Sequence, residues 1–193
     1  MAVMLLGLAL FLGSHLFTTQ RSARAGLIAK LGENGYKGVY SIVAALGFVL
    51  TIYGFGLYRE AGMIAVWSPP TAMKHVALLL MLPVFILLAV PRACWLRDKT
   101  KHPMMLAVKI WATSHLLANG DLGGMILFGG FLAWGVIGRI AVKKREAIEG
   151  APARDHSFAR ADGIAIFLGL VLYVVFAFWL HPLLIGVPVM SVR

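Results

Sequence analysis

Long apolar stretches alternate with short basic runs along the whole chain, and this alternation constrains the fold more than any other feature. Six stretches stand out: Ala2–Phe17, Val39–Tyr58, Met73–Val90, Met104–Leu117, Leu122–Val142 and Gly163–Leu180, the last running on past Pro182 toward Val189. A helix crosses a bilayer core with about 20 mostly apolar residues. Lipid offers the backbone no hydrogen-bond partners, so segments of this kind must be helical. The expected fold class is all-α, a polytopic transmembrane helix bundle of about six spans. Composition agrees: 60% of residues are hydrophobic and 13% charged, against roughly 45–50% and about 25% in soluble domains. The first stretch lacks a charged leading segment, and no small-residue cleavage pattern follows before Arg21, so it reads as a retained helix. No fixed-period repeat is visible, and the longest connection, Lys143–Asp162, is too short to separate domains, so residues 1–193 form one integral membrane domain.

Eighteen Lys+Arg against eight Asp+Glu give +10, a surplus that in a polar protein would suggest nucleic acid. Here the cations sit between apolar stretches, which points to the lipid bilayer and to no nucleic-acid partner. Arg21, Arg24, Lys30 and Lys37 follow the first stretch; Arg92, Arg97, Lys99 and Lys101 the third; Lys143, Lys144, Arg145, Arg154 and Arg160 the fifth. The alternate connections are nearly empty of cations apart from Arg59 near a span end, Lys74 just inside the third stretch and Arg193 in the tail. The positive-inside rule then places both termini on the non-cytoplasmic side. Met104–Leu117 is short and carries Lys109, which costs about 2.5–3.5 kcal/mol at a helix centre, yet the charge alternation requires it to cross. Repeated glycines such as Gly123-Gly124 and Gly129-Gly130 read as close helix packing. The Gly-rich segment Glu33–Tyr40 lacks a phosphate-loop pattern and reads as a tight cytoplasmic turn.

A single cysteine, Cys94, excludes a disulfide framework, a thiolate cluster and c-type haem attachment. Cofactor chemistry would have to use other ligands. Intramembrane ionisable groups are costly and therefore candidates. His75, His156 and His181 fall at interfaces or in a charged loop. His15, His102 and His115 do not sort so simply. His15 shares a helical face with Phe11 and Thr19, and His115 has Asn119 one turn on, in a stretch from Lys109 to Asp121 too polar to face lipid. His102 and His115 are about 220° apart around one helix. Two imidazoles from different helices of a bundle are a standard way to hold a b-type haem, although buried histidines also bond neighbouring helices or relay protons. No Glu-x-x-His or H-E-x-x-H pattern occurs. Trp111, Trp134, Phe128 and Phe131 are of a kind that lines a flat cofactor but serve equally as packing.

Four segments together carry a family resemblance: Gly32-Glu33-Asn34-Gly35-Tyr36-Lys37-Gly38-Val39-Tyr40-Ser41, Lys101-His102-Pro103, His115-Leu-Leu-Ala-Asn119-Gly-Asp121, and Leu127-Phe-Gly-Gly-Phe-Leu-Ala-Trp134. They resemble the NnrU family over almost the whole chain. That family comprises small bacterial membrane proteins named for an association with nitrite and nitric oxide metabolism, and it is similar to 15-cis-zeta-carotene isomerase. The resemblance implies a place in the bacterial inner membrane. It further implies a b haem held by His15 and His115, with His102 as the reserve ligand, and redox-assisted isomerisation of a lipophilic, carotenoid-like small molecule. The isomerase branch has a cysteine three residues before the second histidine as an alternative iron ligand; this chain has Ala112 there, so that ligand exchange does not carry over. Two alternatives stand beside isomerisation. One is a non-catalytic haem-binding or assembly factor for nitrogen-oxide enzymes. The other is a membrane methyltransferase of the isoprenylcysteine type, which Lys101-His102-Pro103 followed by Arg145, Glu146 and Glu149 resembles and which would use S-adenosylmethionine. Lys109, Asn119 and Asp121 complete the candidate residues, and no residue is assigned a catalytic role.

Overall fold

The computed structural model describes residues 1–189; Arg193, counted above in the tail, lies outside them. Among these residues every regular element is a helix: α1 (Ala2–Phe17), α2 (Arg21–Glu60), α3 (Thr71–Ala89), α4 (Trp95–Thr100), α5 (Pro103–Ala118), α6 (Leu122–Glu149), α7 (Arg160–Val175), a π-helical turn Phe176–Leu180 and α8 (His181–Ile185). Four segments are long and apolar enough to cross a membrane: α2, α3, α6 and the continuous Arg160–Ile185 stretch. α1 and α5 have 16 residues each, about 24 Å of helix at 1.5 Å per residue. The outer faces are apolar: Ile42 is 69% exposed and Leu79 73%. A surface of this kind is stable only with lipid as its solvent.

Three boundaries differ from those expected. Arg21–Lys37 is not a loop and Glu33–Tyr40 not a turn, because α2 begins at Arg21, immediately after α1. Its one interruption is Gly32, at φ +71°, where a side chain would be strained. The basic segment Arg21–Leu31 is therefore a helix angled from the apolar part of α2. At the other basic connection, α6 continues to Glu149, and the loop shrinks to Gly150–Ala159. Helical backbone bonds persist there because nothing before Gly150, at φ +88°, breaks them.

The main pairings run α2 on α1, α1 on α6, α6 on α5, α5 on α3 and α3 on α7. Glycines set the first: a methyl on Gly7 would overlap Thr51, on Gly54 Met4, and on Gly47 the backbone N of Phe11, 2.5 Å away. In lipid, apolar burial does not drive helices together, so such close backbone approach supplies the dispersion contact that does. Thr51 is buried without loss because its hydroxyl donates to the Gly47 carbonyl at 2.8 Å. Val84, Leu87 and Ala107 form the seam between α3 and α5, with Met81, Leu106, Ile110 and Trp111 around it.

Each end of the bundle has a polar fastening. At one end Tyr58 Oη accepts from the N–H groups of Ile64 (2.9 Å) and Gly123 (3.1 Å), and the Gly120 carbonyl accepts from Val66 and Trp67. At the other end, Asp162 is fully buried and its carboxylate accepts from the N–H groups of Leu96 and Ala159. A Gly47→Ile substitution should separate α1 from α2 and cost about 1–3 kcal/mol, read as a lowered unfolding temperature in detergent. Gly56→Ala, where an added methyl meets nothing within 4 Å, should leave that temperature within a degree or two of wild type.

Candidate functional site

α6 touches both histidine-bearing helices, α1 and α5. His15 lies one turn beyond Phe11 on α1, and its Nδ1 bonds the Phe11 carbonyl at 2.7 Å. On α5 the same arrangement recurs, with His115 Nδ1 on the Trp111 carbonyl at 2.9 Å. A ring nitrogen facing a carbonyl must carry the proton, so both histidines are held with Nδ1–H donating and Nε2 as the free acceptor. Among the described residues no hydrogen bond engages either Nε2. A backbone carbonyl held against one ring nitrogen in this way fixes the tautomer that leaves the other nitrogen able to bind a metal.

The space between them is a run of aromatic rings. Phe11 lies 4.3 Å from His15 and 5.7 Å from Phe131; Phe131 lies 5.2 Å from Trp111, and Trp111 5.3 Å from His115, all between ring centroids. Phe128 stacks on His115 at 4.5 Å, while Trp134 meets His15 edge-on at 5.8 Å and Tyr40 of α2 approaches it to 5.6 Å. Phe128 and Trp134 are six residues apart on α6, so the two imidazoles sit at levels differing by about 9 Å along it. His15, Phe11, Phe131, Trp111 and His115 are all half-buried. They form an aromatic seam over α6 between α1 and α5.

The other candidates are placed elsewhere. His102 immediately precedes Pro103, the first residue of α5, and its Nε2 lies 3.0 Å from Glu146 Oε1. Glu146 also accepts from Arg154 at 2.9 Å and Arg139 at 3.3 Å. Beside this cluster opens a cavity of about 470 Å³ lined by His102, Arg145, Glu146, Glu149 and the Gly150–Pro152 loop, and Glu149 pairs with Arg21. His102 thus joins the acidic and basic residues of α6 and not the other two histidines. Asn119 and Asp121 turn out to hold helix ends: Asn119 donates to the His115 carbonyl at 2.8 Å, and Asp121 accepts from Gly124 N at 2.7 Å as the cap of α6. Lys109 lies on α5 against Gly135 of α6. Tyr40 and Arg154, named from the sequence only as a motif residue and a loop cation, and Arg139, not singled out at all, are each brought in by a helix pairing or a loop return that no local pattern marks.

Asp98, Asp155 and His156 bring three potential ligand atoms within 4.8 Å of one another. Their contacts fit a loop fastening: Asp98 Oδ2 accepts from both the backbone N–H and Nδ1 of His156, each at 2.9 Å. Those bonds, the backbone one foremost, hold the Asp98 carboxyl below its usual range.

Taken together, fold and seam define a helical membrane protein carrying two similarly oriented imidazoles in its helix interfaces. The family model described as NnrU protein matches residues 3–189, and the chain belongs to the NnrU family. No curated protein and no solved structure matches it.

The Asp98 fastening has a definite pH sign. A carboxyl held low in the folded state stabilises at and above the ordinary aspartate value, about 3.9, and that contribution is lost as pH falls through the lower folded value. Protection of the His156 amide, taken relative to its intrinsic exchange rate, should therefore hold down to that ordinary value and fall below it. In Asp98→Asn the acid step at this amide should vanish.

Proposed function

We propose that this NnrU-family protein crosses the bacterial inner membrane six times, with α1 and α5 as its two short spans and both termini outside the cytoplasm, and that it binds b-type haem in the aromatic seam through His15 and His115. What carries the haem assignment is the matched pair of histidines, each with Nδ1 held by the carbonyl four residues earlier and Nε2 unengaged among the described residues. The donor set fits a haem iron: two neutral imidazoles on different helices, in apolar aromatic surroundings. The polar alternative, a relay or an interhelical bond, would engage Nε2. Phe131 and Trp111 fill the space between the histidines, so a haem would be held there only if both rings turned aside and α1 and α5 shifted to bring His15 and His115 within reach of one iron.

A bound haem supplies one-electron chemistry that few protein groups need assist. The protein's own residues supply the rest: Phe11, Phe128 and Trp134 wall the seam against water, the Phe11 and Trp111 carbonyls fix the imidazole tautomers, and the half-buried flank admits a lipophilic substrate from the bilayer. On that basis redox-assisted isomerisation of a carotenoid-like substrate is the favoured activity, and a non-catalytic haem-binding or assembly role in nitrogen-oxide metabolism is its alternative. With Ala112 fully buried where the isomerase branch has its thiolate, any reaction here runs without ligand exchange at that position.

A second assignment has its own observation. His102, Arg145, Glu146 and Glu149 line one cavity, which is the grouping that a methyltransferase binding S-adenosylmethionine would use. Purified protein from haem-supplemented cells should show Soret and alpha bands that His15→Ala and His115→Ala each abolish or shift to a one-histidine spectrum, while Phe131→Ala, which opens the seam, retains them. A colourless wild type would end the haem assignment. Binding of S-adenosylmethionine by that wild type, lost in His102→Ala, would establish the methyltransferase instead.

A further inference from the structure

Lys109 is the candidate that the haem seam, the cavity beside Glu146 and the helix-end bonds all leave unused. It stands six residues inside α5 from Pro103, about 9 Å along the helix axis, where an unpaired charge is costly. Among the described ion pairs none includes Lys109, and every carboxylate in them is engaged by another cation or histidine. The start of its side chain is held in a notch: a methyl on Gly135 would come within 2.8 Å of Lys109 Cγ. Glycine at that place on α6 is what leaves room for the lysine stem between the two helices.

Beside Lys109 lies an open recess of about 220 Å³ between α3 and α5, lined by Leu80, Leu106, Ile110 and Thr113 as well as by Lys109 itself. Its lining residues are all half-buried, and Leu79, one residue from Leu80, is 73% exposed, so the recess lies at the bundle's surface. The recess combines an apolar wall, one hydroxyl and one cation. Its volume equals that of about seven liquid waters, room for a small head and the first carbons of one chain.

We infer that this recess binds a single-chain lipophilic carboxylate entering sideways from the bilayer, with its carboxylate on Lys109 and Thr113 and its first methylenes against Leu80, Leu106 and Ile110. An anion at that depth converts an uncompensated charge into a charge-assisted hydrogen-bonded pair. Simple snorkelling of Lys109 toward the cytoplasmic surface would satisfy the ammonium with water and would give no preference for a carboxylate over a neutral head. The inference is independent of haem and of the histidines.

The test uses the full chain in phosphatidylcholine nanodiscs and reads quenching of tryptophan fluorescence by doxyl-labelled stearic acid or its methyl ester, at a pH where the acid is ionised. The acid should saturate the wild type at a mole fraction about tenfold lower than the ester does, as a charged hydrogen bond implies. Lys109→Met should remove that difference and Lys109→Arg preserve it. Equal quenching by acid and ester in the wild type, which needs no variant to fold, would overturn the inference. So would a preference that survives Lys109→Met, and a stronger response to a monoalkyl phosphate would overturn the assignment to a carboxylate.

Discussion

Apolar side chains gain little by leaving lipid for another helix, so this bundle depends on close backbone approach and a few polar fastenings. The α1–α2 pair shows the constraint most plainly, because Gly7, Gly47 and Gly54 bring one backbone against the other. α6 depends on a similar economy of volume: Gly123 sits under the Tyr58 ring, Gly130 lies 3.1 Å from Leu12 by its missing methyl, and Gly135 accommodates Lys109. One helix can thus contact α1 and α5 together, and the two histidines come to one seam only because it does.

The ends of the bundle carry a different burden. Connections that leave the helix have main-chain groups to satisfy, and a handful of groups do so: the Tyr58 hydroxyl and the Gly120 backbone carbonyl at one end, the Asp162 and Asp98 carboxylates at the other. These same residues set the α5–α6 turn and the α4 segment, and so help fix where α5, with His115 and Lys109 on it, stands against α6. Asn119 and Asp121, which drew attention as polar residues in an apolar stretch, belong to this structural group. The cluster around Glu146 combines both roles, tying α5 and the Gly150–Ala159 loop to α6 while lining a cavity.

Much of this was legible from one dimension. Apolar length located every major helix, Pro103 marked the start of α5, and i,i+4 spacing paired His15 with Phe11 and tied Asn119 to the end of His115's turn. What was not legible depends on partners distant in sequence. The methyltransferase resemblance groups His102 with Glu146, and they do meet, but apolar patterning stops before the part of α6 that carries Glu146 and so does not give the helix that brings it there. Tyr40 reaches His15 through glycine-mediated pairing whose register no short motif encodes. Gly32 was visible as a glycine, but a broken helix and a tight turn share that signal, and only the tertiary arrangement chooses between them.

Both proposed sites require α5 to cross the bilayer despite its 16 residues and Lys109, since a helix lying on one surface would bring neither His115 to the seam nor Lys109 to a recess open to lipid. Paired reporter fusions at its two ends measure this directly, with one enzyme active only in the cytoplasm and one only outside it. The cytoplasmic reporter should work when joined after Asp98 and fail after Gly120, with the external reporter showing the reverse. Matching activity at both positions would mean that α5 does not cross, and the seam as described would not exist in the membrane.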